Sequence, residues 1–187
     1  VGRVGDVVMI TPALGALFEK YPEAEVHVLT SLDGVRVLEG FHDRLTKIIV
    51  YDRTKLNGVL ERRRITKQIN DECYSCIYCF ELKPSFHRLF ESSAAKKHIL
   101  DDDCKNLHYA QRCLKVIGEE VENKWLYLPV SDTGKEKAQT LLQSTGIAED
   151  SFIVGFHPSF SGMKKSFFRS RKSHHFKEWP VTSFAIL

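Results

Sequence analysis

Close to the start of the chain, Arg3-Val4-Gly5-Asp6 sets a cation, a glycine and a carboxylate ahead of an apolar run broken by Thr11-Pro12. A carboxylate at the head of a helix has two uses. It can cap the free N–H groups of the first turn, where the helix dipole favours negative charge. It can also act as a general base at the mouth of a cleft. Gly5 permits a tight turn or the close approach of a ligand. Residue type and spacing leave both uses open for Asp6. Pro12 fits a helix that begins near Thr11 and would kink one that begins at Asp6.

Two other stretches carry chemistry-bearing side chains. Cys73, Cys76 and Cys79 form C-x2-C-x2-C, the spacing of iron–sulfur ligands, but a fourth cysteine at short spacing is missing. On a strand, Cys73 and Cys79 would share one face and Cys76 the other, which suits small core residues better than a cluster. Cys104 and Cys113 add no metal spacing, and His174-His175 are adjacent rather than one helical turn apart. Further on, Lys164, Lys165, Arg169, Arg171 and Lys172 lie in a stretch without an acid until Glu178. Such a run is either a solvated loop or a contact for an anion: a diphosphate, a phosphorylated glycolipid or a membrane surface. Phe167, Phe168 and Phe176 interleave it, yet no nucleic-acid module accompanies them, so nucleic acid is not an expected partner.

The chain that must position these residues has 187 residues, 43% of them hydrophobic and 27% charged, enough for one domain with a core and part of another. A formal charge of +3 says little about partners. No apolar run reaches the roughly 20 residues of a membrane span, and no signal-peptide pattern is present. Five cysteines, an odd number without framework spacing, read as reduced thiols of a cytoplasmic protein.

Short apolar runs at 26–30, 47–51, 76–80, 97–100 and 152–156 read as strands buried on both faces of a parallel sheet. Helical patterns alternate with them. One runs from Thr11 or earlier to Lys20 and another from Leu56 to Asn70, rich in Arg and Lys. A third runs from Leu107 to Ile117, ahead of Gly118, and a fourth from Ser131-Asp132 to Gly146. The alternation predicts an α/β fold with a doubly wound parallel sheet. Only Val1 precedes Gly2 where a strand should enter the opening loop, and the helix signal after Trp179-Pro180 stops at Leu187. The expectation is a chain truncated at both ends, with 1–150 as one Rossmann-like domain and 151–187 as the start of a second. The loss of a central strand would expose apolar edges and lower solubility.

The stretch from Arg3 to Leu17, with Gly5-Asp6, Thr11-Pro12 and then Tyr21-Pro22, resembles the N-terminal signature of glycosyltransferase family 9, the ADP-heptose:lipopolysaccharide heptosyltransferases. A second stretch similar to the family is Phe156-His157-Pro158-Ser159-Phe160-Ser161-Gly162, followed by Lys177-Glu178-Trp179-Pro180 and Phe184. His108, Arg112 and Leu114 add weaker support, and the matches run in order across nearly the whole chain. The connection from Met163 to Phe176 is longer than in most members, which leaves the loop ahead of Lys177 without a family template.

The resemblance implies a GT-B enzyme, in which two Rossmann-like domains face each other across a cleft. It implies inverting transfer of heptose from ADP-heptose to the inner core of lipopolysaccharide, with no metal or other cofactor. It makes Asp6 the base, and it makes Lys177, Ser159, Ser161 and Gly162 the contacts for the donor diphosphate. Arg3, Gly5 and Thr11 would shape the loop or face the acceptor. The expected partners are a nucleotide sugar, a lipopolysaccharide-core or related glycolipid acceptor, and an anionic membrane surface at the inner face of the inner membrane. The chain alone would be inactive, because most of the donor site lies outside it. Another nucleotide sugar and acceptor on the same fold, or a binding module without turnover, are the alternative readings.

Overall fold

The structure is a computed structural model that describes residues 3–52, 58–102, 106–119, 126, 128–148 and 151–153. The chain divides into two compact units, Val1–Ser131 and Asp132–Leu187. In the second, the described residues hold one helix, Asp132–Ser144, followed by Gly146 in the left-handed conformation (φ 76°). Phe152 and Ile153, expected to open a strand, are exposed and lie outside any strand; the rest of that stretch is outside the described residues.

The first unit begins with two helices, α1 (Val4–Met9) and α2 (Thr11–Lys20). A helix thus starts before Asp6, and Pro12 does not bend it, because the chain breaks at Ile10 and restarts at Thr11. Pro12 falls in the first turn of α2, where its missing N–H leaves no bond unmade. The Thr11 hydroxyl donates to the Val8 carbonyl at 2.8 Å and ties the two helices together. At the far end, the Arg44 guanidinium donates to the Phe18 and Tyr21 carbonyls at 2.7 Å each, satisfying groups that α2 leaves open.

The strands follow as β1 (Val26–Thr30), β2 (Leu45–Val50), β3 (Cys76–Cys79) and β4 (Lys96–Ile99). Between them lie α3 (Leu32–Leu38), α4 (Gly58–Asp71) and α5 (Pro84–His87), and α6 (Tyr109–Ile117) follows. Helix α6 starts two residues later than the periodicity predicts and ends at left-handed Gly118 (φ 80°). Helices α3 and α5 were not expected, since each is short and has too little apolar periodicity to stand out. Their signals are caps: Ser31, whose hydroxyl accepts from Gly34 N–H at 3.3 Å, and Pro84 in the first turn.

Strand β1 pairs with β2 and β3 with β4, both parallel. A bulge shifts the register from Val26↔Leu45 to His27↔Lys47, so Leu45 and Ile48 both reach the same apolar cluster. Where a single doubly wound sheet was expected, the described strands form two separate two-stranded ladders. Side chains from both ladders nevertheless feed the same two clusters. Val28 of β1 and Tyr78 of β3 pack with α2, α3 and α6 residues such as Leu14, Leu38 and Leu114. Leu29 of β1, Ile49 of β2 and Cys79 of β3 pack with Ile65 and Ile69 of α4 and with Phe86. This is strand alternation, odd and even residues to opposite faces with helices on each. Full burial of Leu14, Leu38 and Leu114 contributes about 1.5–3 kcal/mol apiece.

The cysteines divide by environment. Cys79 and Cys113 are buried and Cys76 is half-buried, as small core residues. Cys73 departs from expectation: it is exposed, precedes β3, and has φ 50°, so it does not share a strand face with Cys79. Cys104 lies outside the described residues. Among the described residues no three His, Cys, Asp or Glu side chains are placed to hold a metal, and no helix is long and apolar enough to cross a membrane.

Candidate functional site

Parallel strands all end at one edge of their sheet, and the helices that follow them begin there. At this edge of the first ladder Thr30 closes β1, Ser31 follows it and Tyr51 follows β2; at the same end of the second ladder Phe80 and Glu81 follow β3. Helix α1 is held there by a close approach. A Cβ on Gly34 of α3 would sit 2.0 Å from Thr30 Oγ1 and 2.9 Å from Val7 Cγ2, so only glycine lets α3, α1 and the end of β1 meet. The cost is a Thr30 hydroxyl buried without a hydrogen-bond partner.

Asp6 is the third residue of α1. One carboxylate oxygen, Oδ2, accepts the Arg3 N–H at 2.8 Å, closing the first turn. The other accepts no hydrogen bond from a described residue, and the side chain is exposed. The carboxylate therefore has a capping oxygen and an open one, and the two uses read from the sequence do not exclude each other. Gly5 makes no tight turn: it is helical, and a Cβ there would meet nothing within 4 Å. The turn lies one step earlier, at Arg3, whose backbone is extended (φ −77°, ψ 174°). Thr11 is fully buried at the α1–α2 junction and bonded to Val8, so it shapes the backbone under the site. Ser159, Ser161, Gly162, Lys177 and the basic stretch 163–176 lie outside the described residues.

The structure adds a residue that the sequence reading did not single out. Tyr109, in the first turn of α6, donates its hydroxyl to the Phe80 carbonyl at 2.7 Å, fastening the end of β3 to α6. Burial, then the neighbouring Cys113 and Glu81, and at longer range Asp6, all favour its neutral phenol and push its pKa well above the ordinary tyrosine value. The only local hint was His108-x-x-Gln111, where the His108 N–H donates to Gln111 Oε1 at 3.0 Å and starts α6. Arg112 donates to the Asp101 carbonyl at 2.8 Å and holds the segment after β4, and Leu114 is core.

No protein-family model matches the sequence, and no curated protein matches it either. A solved structure does: the chain is similar to the crystal structure of the glycosyl transferase family 9 from Veillonella parvula DSM 2008, with a TM-score of 0.66 and 16% identity. The match covers 81% of this chain and 49% of that one, so the chain spans about half the length of that glycosyl transferase and shares its fold over the part compared.

Proposed function

We propose that this chain is the acceptor-side half of a GT-B glycosyltransferase, with 1–150 as its first Rossmann-like domain and 151–187 opening the second. In this reading the two ladders belong to one doubly wound parallel sheet. The observation that carries it is the Asp6 carboxylate, fixed by one oxygen at the strand-end edge and open at the other. The likeness in fold to a family 9 glycosyl transferase supports it.

The reaction proposed is inverting, metal-independent transfer of heptose from ADP-heptose to the inner core of lipopolysaccharide, at the inner face of the inner membrane. The acceptor hydroxyl oxygen attacks the sugar's C1, its proton passes to Asp6, and the bond from C1 to the diphosphate oxygen breaks as ADP leaves. A carboxylate is a weak base for an alcohol, but it takes the proton only as the new bond forms. The charge growing on the diphosphate requires fixed donors, assigned to Lys177, Ser159, Ser161 and Gly162. Arg3 and Gly5 flank the acceptor side.

The test is ADP release from ADP-heptose with a truncated lipopolysaccharide acceptor, measured on the whole protein that carries this chain. Wild type should turn over and Asp6→Asn should lose at least about 100-fold, the usual worth of a general base. Turnover kept in Asp6→Asn would remove Asp6 from the chemistry. A folded protein without turnover on any ADP-sugar would refute the donor assignment.

A further inference from the structure

We draw no further inference here: the strongest candidate, the cleft of about 300 Å³ between the end of β4 and α6 that His98, Arg112 and Lys115 line, carries nothing, because the Arg112 guanidinium is already held by the Asp101 carbonyl at 2.8 Å with the Asp102 carboxylate at 3.8 Å, its partnerless Nε is closed off from solvent, and nothing in the structure shows what would occupy the cleft.

Discussion

Substitution of Gly34 by alanine tests how α1 is seated. The new Cβ would lie 2.0 Å from Thr30 Oγ1, 2.9 Å from Val7 Cγ2 and 3.1 Å from Thr30 Cβ. A carbon and an oxygen need more than 3 Å, so something must move by about 1 Å. Thr30 is 2% exposed and β-branched, which leaves it little room to turn. Overpacking costs about 1–3 kcal/mol, a 2.0 Å approach to a buried side chain falls in the upper part of that range, about 2–3 kcal/mol, and alanine returns about 1 kcal/mol of helix propensity. The expected net loss for Gly34→Ala is therefore about 1–2 kcal/mol in urea unfolding. The clash has one main partner, which a double-mutant cycle can isolate. Thr30→Ala removes the obstructing oxygen and should restore most of the loss, whereas Thr30→Val keeps an atom there and should not. If the backbone yields instead of the side chain, α1 shifts and carries Asp6 with it. If Asp6 is the base proposed above, a misplacement near 1 Å costs on the order of 100-fold in rate, so turnover of the whole protein should fall further than stability does. Gly34→Ala at wild-type stability, or equal behaviour of the Ala and Val partners at Thr30, would refute the reasoning.

Tyr109→Phe deletes the hydroxyl held by the Phe80 carbonyl and should cost about 1 kcal/mol while loosening the end of β3, read as faster amide exchange after β3 than in α2; unchanged exchange there would show that the bond holds nothing. Stability should also fall in alkali. Burial pushes the Cys113 thiol from 9.0 up to about 12 and the Tyr74 phenol from 10.0 up to about 12, so the folded chain holds both neutral while the unfolded chain releases their protons sooner. Their contribution is complete below about pH 9 and is lost as pH rises toward 12. Thermal melts that stay level from pH 8.5 to 11 would contradict this, and Cys113→Ala should flatten part of the slope.

Much of the first unit was legible because its signals are local. The apolar run at Val26–Thr30 is the strand itself, and Tyr21-Pro22 and Gly118 end helices for backbone reasons that need no partner. Asp6 was readable as a first-turn carboxylate for the same reason. The break at Ile10 was half legible: Pro12 announced a helix start, but a second helix ahead of it depends on the Asp6 cap and on the packing of Val7 against α3. Other features were settled only in three dimensions. Which strands pair, and that they do so as two ladders, depends on contacts between residues about 20 apart in sequence. Cys73 leaves the strand because its backbone turns left-handed, which C-x2-C-x2-C spacing does not encode. Tyr109 fastens the end of β3 through a bond across 29 positions, and Gly34 shows its purpose only once Thr30 and Val7 stand against it. Local backbone preference is written in neighbouring residues, whereas the meeting of Gly34, Thr30 and Val7 at the end of β1 is a property of the packed chain.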